Sequence, residues 1–179
     1  MLYPEIVITG CGNPLFADDG FGPAVAEELS KFKLPDNVKV IDAGLGGPHF
    51  IFTLIDPEVT KRLIIIDIAD FGAQPGELAL FRVEDLPVGS YRDAHSWDLT
   101  EPLQNLKDLV DITVIGCQPK RVTAPEFEMG ITEEVSNAIP RTVRKVLELI
   151  GVDYGMAIEN LRKEERQRGA EGETASGES

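Results

Sequence analysis

Four short runs of this chain are rich in Val and Ile and carry almost no polar alternation: Glu5–Thr9 (EIVIT), Val38–Asp42 (VKVID), Arg62–Asp67 (RLIIID) and Asp111–Cys117 (DITVIGC). A strand with one solvated face alternates apolar and polar residues, whereas a strand covered on both faces does not. Runs of this kind therefore require a sheet with helices packed above and below it. Leu78–Val83, after the turn-like Gln74-Pro75-Gly76, is a weaker fifth strand candidate.

Helix signals fill the gaps. Pro23 suits the first turn of a helix running to about Lys31, with Val25 and Leu29 inward and Glu27 and Glu28 outward. Pro48–Ile55 can form a short helix closed before Pro57, and Thr100 can cap one running through Leu106. Thr132 is placed to cap a long helix that Pro140 should kink or delay. Strands alternating with helices imply an α/β fold: a three-layer domain whose mostly parallel, twisted sheet has about five strands flanked by helices. No internal repeat is present. The apolar pattern thins beyond residue 151, so residues 1–151 form the expected domain. Residues 152–179 form a charged extension, expected to be helical at first and then disordered.

The formal charge of −14 argues against nucleic acid or an anionic membrane as partner, since both need a positive footprint. The opening MLYPEIVITGCG has no basic region before its apolar residues, and no run approaches the roughly 20 apolar residues of a membrane span. Cys11 and Cys117, the two cysteines, form no CxxC pair and suit a reducing cytoplasm. A cytoplasmic monomer is the expectation.

Ligands of open parallel sheets bind beyond the carboxyl ends of the strands. There the chain carries Gly10–Gly20 (GCGNPLFADDG), Asp42 followed by Ala43–Gly47, Asp67, and Gly116-Cys117-Gln118-Pro119. Carboxylates thus collect on one rim. The first loop lacks the Lys-Ser/Thr ending of a P-loop, which excludes that route to phosphoryl transfer. It begins as G-x-G, but Leu15 takes the last glycine position, and Asp18 and Asp19 would face a bound pyrophosphate. A dinucleotide-binding or non-catalytic Rossmann-like module is the alternative reading. His95, one of two histidines with His49, lies in the polar stretch Ser90–Asp98. One imidazole with carboxylates can hold a divalent transition metal and leave positions open. Each Asp can equally be a turn or cap residue, and the glycines can simply permit tight turns. Phe16 and Trp97 can be substrate-contacting or core aromatics, and His49 reads as a packing or surface residue.

Together these residues resemble the hydrogenase maturation endopeptidases, which process nickel–iron hydrogenase large subunits. The resemblance spans Ile6 to Ile150. It rests on GCGNPLFADDGFG at Gly10–Gly22, IDAGLGG at Ile41–Gly47, LIIIDIAD at Leu63–Asp70, His95 in AHSWDL, and IGCQPK at Ile115–Lys120. It implies a single α/β domain and a peptidase that removes a C-terminal extension from the large-subunit precursor after nickel insertion. The family's metal-contacting and catalytic positions match Asp19, Asp67 and His95. Many members carry Glu where Asp19 stands here, which draws the carboxylate back by about one methylene. Asp42, Gly44 and Gly46 match the segment associated with substrate recognition.

The nickel would arrive with the precursor, and another divalent metal could take the site in the isolated protein. The resemblance leaves three chemistries open. Nickel can be a recognition handle, it can polarise the scissile carbonyl or activate water, or the two carboxylates can do general acid–base work. With no HExxH helix and no second imidazole beside His95, a permanently loaded zinc protease is the weakest version.

Overall fold

In the computed structural model the described residues are 3–44, 47–85, 103 and 105–175. Five strands form one sheet: β1 (Ile6–Cys11), β2 (Val38–Gly44), β3 (Arg62–Ile68), β4 (Leu78–Phe81) and β5 (Asp111–Cys117). Their order across the sheet is β2-β1-β3-β5-β4. The first three pairings are parallel, with Ile8 opposite both Val40 and Ile64, and Ile64 opposite Thr113. β4 is antiparallel to β5. The turn from Ile68 to Leu78 is too short to hold a crossover helix, so the chain can only run back.

Successive residues of each central strand enter different cores, which is why the runs show no polar alternation. Val7, Leu63, Ile65, Ile112 and Val114 pack on one face with Ile51, Leu103 and Val110. Ile8, Ile64, Ile66 and Ile115 pack on the other with Phe21, Val25 and Leu29 of α1 (Phe21–Leu29). The second face also receives Val143, Val146 and Leu147 of a later helix. Full burial of one such side chain stabilises the fold by about 1.5–3 kcal/mol. The sheet is thus covered on both sides. The two cysteines fall in separate cores, Cys11 on the Val7 face and Cys117 on the Ile8 face, and both are free thiols.

Five details differ from the sequence reading. The strand over Val38–Asp42, expected to be buried on both faces, is the edge strand β2, with Lys39 and Asp42 exposed because no further strand flanks it. The expected helix over Pro48–Ile55 is shorter, α2 at Gly47–Phe52. The strand after Gly76 stops at Phe81, because Val83–Asp85 turns into a 3-10 segment. The long helix after Thr132 is two helices, α3 (Glu133–Ser136) and α4 (Ile139–Leu149), with Pro140 in the first turn of the second. Proline has no N–H to carry the hydrogen-bond ladder across that junction but fits a first turn. Thr132 stands at the N-cap of α3 without making a side-chain capping bond.

Beyond Gly151 the chain forms α5 (Tyr154–Ala175). Its first turn is anchored: Asp153 Oδ1 accepts the N–H of Met156 at 2.8 Å, and the Arg144 guanidinium lies 4.7 Å from the Tyr154 ring centre. Tyr154 and Ala157 rest half-buried on the core. The start of the Thr100 helix, with Pro102, lies outside the described residues.

Candidate active site

β2 lies on one side of β1 and β3 on the other, so the connections diverge between the carboxyl ends of β1 and β3. That crevice is where ligands of open α/β sheets bind. The loop leaving β1 turns straight back across it. A Cβ on Gly22 would stand 2.1 Å from the Cys11 carbonyl oxygen and 2.5 Å from that of Ile66, so only glycine lets α1 start directly on both strand ends. Gly12, at φ 124°, is held 2.0 Å (from its Cβ position) from the Asp19 carbonyl oxygen. The loop is wound tightly around its own acid.

Within it the paired aspartates separate. Asp18 is fully buried, and its carboxylate accepts three backbone N–H groups: Oδ2 those of Lys120 at 2.9 Å and Arg121 at 2.8 Å, Oδ1 that of Thr132 at 2.7 Å. Asp19 is half-buried, and its Oδ2 accepts the N–H of Asn13 at 2.8 Å. Asn13 Oδ1 in turn accepts from Leu15 N–H at 3.0 Å. Across the crevice Asp67, the penultimate residue of β3, is 9% exposed, with Oδ1 accepting the N–H of Ile68 at 2.7 Å. Main-chain donors thus fix both the Asp19 and the Asp67 carboxylates.

The buried Cys11 thiol reports how the carboxylates gather. Burial pushes it well above the ordinary thiol range, and the Asp67 charge adds most after burial; Asp42 and Asp19 add to it, against the Thr9 hydroxyl 3.9 Å away. The Cys11 thiol thus feels the charges of Asp67, Asp42 and Asp19, which the chain carries near the carboxyl ends of β3 and β2 and in the loop after β1. Asp42 itself is exposed, opposite Gly10 in the β1–β2 register. Gly44 has φ 24°, and a Cβ there would stand 3.0 Å from Asp42 Oδ1. Among the described residues no group of three or more His, Cys, Asp or Glu side chains is close enough to hold a metal ion. His95, Trp97, Gly46 and the side chain of His49 lie outside what is described.

Sequence reading missed two anchoring residues. Asp18 looks identical to Asp19 in the sequence, and its donors come from a segment about a hundred positions later. Gln118, 7% exposed, accepts the N–H groups of Phe71 and Ala73 with Oε1 and donates from Nε2 to Asp70 at 3.1 Å, closing the turn after β3. Its place in IGCQPK was the available signal.

Comparison with known proteins identifies the fold and the family. The hydrogenase maturation protease family model matches residues 23–149. The chain is 48% identical over 152 residues to the coenzyme F420 hydrogenase subunit delta of Methanothermobacter thermautotrophicus, covering 83% of this chain and 96% of that one. The endopeptidase HycI of Escherichia coli superposes with a TM-score of 0.68 at 26% identity, over 82% of this chain and 92% of that one. The [NiFe] hydrogenase maturation protease HycI of Thermococcus kodakarensis gives 0.67 at 25% identity, over 82% and 92%. A mostly parallel sheet with acids at its switch point, and matches spanning most of the chain, lead to one assignment: the chain belongs to the hydrogenase maturation protease family and is a peptidase.

Proposed function

We propose that this peptidase removes the C-terminal extension of a nickel–iron hydrogenase large-subunit precursor in the cytoplasm, after nickel insertion, and that Asp19, Asp67 and His95 engage the nickel the precursor carries. The carrying observation is the pair of main-chain-fixed carboxylates, Asp19 after β1 and Asp67 at the end of β3, on either side of the switch point. Anionic oxygens held in place before binding suit a cation, because less side-chain ordering is lost when it arrives. On the handle reading, the precursor is gripped only once its metal is present; on the electrophile reading, the same carboxylates hold the metal against the scissile carbonyl. Hydrolysis of the peptide bond adds one water and leaves a carboxylate and an amine. The similarity to the coenzyme F420 hydrogenase subunit makes a large subunit of that class of hydrogenase the first client to test.

The test mixes nickel-loaded and nickel-free precursors with the wild type and with Asp19→Asn, Asp67→Asn and His95→Ala, and weighs the products. The wild type should trim only loaded precursor. Each variant should trim at least about 100-fold more slowly, whereas His49→Ala should stay close to the wild type. If nickel is a handle, the variants bind loaded precursor more weakly. If it is electrophilic, bound precursor accumulates uncut. Normal trimming by His95→Ala and Asp67→Asn would return these residues to structural roles.

A further inference from the structure

Asp19 reaches its main-chain donor because the loop after β1 doubles back on itself. Asn13 Oδ1 accepts the N–H of Leu15 at 3.0 Å, and the Asn13 carbonyl accepts that of Phe16 at 3.1 Å. The Asp19 N–H then donates to the Phe16 carbonyl at 3.3 Å. These linked turns carry the chain from position 13 to position 19 and bring the Asn13 N–H to 2.8 Å from Asp19 Oδ2.

The residue types suit that path. Asn followed by Pro favours a turn, since the Asn oxygen bonds an N–H two residues on and Pro14 arrives with φ already set. Proline also keeps the residue before it extended. On the other side Gly12 takes φ 124°, which L side chains rarely adopt. Any residue but proline would supply an N–H at position 13. What asparagine adds is the side-chain oxygen that closes the turn and so aims that N–H.

Asp18 does something different. Its carboxylate fastens the loop to Lys120, Arg121 and Thr132, and its N–H donates to the Arg121 carbonyl at 3.1 Å. Those bonds set where the loop sits, but they leave the next side chain able to turn about its own dihedrals. A directed bond to one oxygen of a planar carboxylate limits that turning. We infer that Asn13 is a positioning residue for the proposed reaction: its carboxamide closes the turn that aims its N–H at Asp19 Oδ2, and so holds the Asp19 carboxylate in the orientation that meets the cation arriving with the precursor. The inference rests on the role proposed for Asp19 and adds a residue that acts through it.

The experiment compares the wild type with Asn13→Ala, which lacks the turn-closing oxygen, and Asn13→Ser, whose hydroxyl replaces it more weakly. Relative to its intrinsic exchange rate, the residue-13 amide should lose about tenfold of its protection against deuterium exchange in Asn13→Ala and regain part of it in Asn13→Ser. On nickel-loaded precursor kcat/KM should fall about tenfold in Asn13→Ala and stay within about threefold of the wild type in Asn13→Ser. Added to Asp19→Asn, the Asn13→Ala change should cost less than about twofold more, because the carboxylate it positions is already gone. A second tenfold loss in that background would make Asn13 a prop for the whole loop and overturn the inference. Trimming that does not follow amide protection across the two variants would overturn it as well. Wild-type trimming by Asn13→Ala beside a slow Asp19→Asn would overturn it while the role proposed for Asp19 stands. Wild-type trimming by Asp19→Asn would overturn that role first, and the positioning role with it.

Discussion

At positions 18 and 19 the chain sets two identical side chains in opposite surroundings. Asp18 is spent on three main-chain donors from a distant segment, and Asp19 stands half-buried at the crevice. Asp18→Ala empties a fully buried site and leaves its three main-chain donors unpaired, so it should destabilise the protein by about 2–4 kcal/mol in a urea titration and lose trimming with the fold. Asp19→Asn should lose trimming with its urea midpoint nearly intact. Equal destabilisation by both substitutions would erase the distinction. The thiols make a second prediction. Burial pushes Cys117 up to about 12, and Cys11 also lies above its ordinary value. The unfolded chain releases these protons near pH 9 while the native chain keeps them, so stability present below pH 9 should fall as pH rises towards 12. Urea midpoints at pH 8 and pH 10.5 should diverge in the wild type, diverge less in Cys117→Ala, and diverge least when both Cys11 and Cys117 are replaced by Ala. Of the site, the rim acids were legible because strand ends can be read from apolar runs. Which acid faces the crevice was not, since the donors that bury Asp18 lie far along the chain.

Elements were legible where one local rule sufficed. β1, β3 and β5 need burial on both faces, and their Val and Ile content states that directly, whereas β2 at the sheet edge is only partly covered. The split between α3 and α4 was written in Pro140. The direction of β4 depends on its partner β5, which follows it in the chain, so no local signal contains it. The same holds for the contact between α1 and the strand ends, which hangs on Gly22. Gly22→Ala puts a methyl within 2.1 Å of a strand carbonyl, so α1 must shift. Circular dichroism melts should show a loss of about 1–3 kcal/mol, and trimming should fall further than that loss explains because the Asp19 loop shifts with the helix. A variant as stable and active as the wild type would mean that the helix accommodates the methyl.

For the molecule as a whole, the sequence announces a covered sheet and a boundary near residue 151, and α5 lies beyond that boundary. Tyr154 and Ala157 touch the core, while the rest of α5 carries surface pairs such as Glu159–Lys163 and Glu164–Arg168. Such exposed pairs contribute little. A chain ending at Gly151 should therefore still unfold in one cooperative step and trim precursor, at a cost of about 1–3 kcal/mol from the lost Tyr154 contacts. A broad, non-cooperative melt would make α5 part of the domain. The placement of Cys11 and Cys117 on opposite faces of the sheet has a further use. Each layer carries its own chemical clock: alkylation of the fully buried Cys117 reports opening of the layer that holds α1 and α4, and alkylation of Cys11 reports opening on the Val7 face. Pulse alkylation of the single-thiol variants would time the two openings separately.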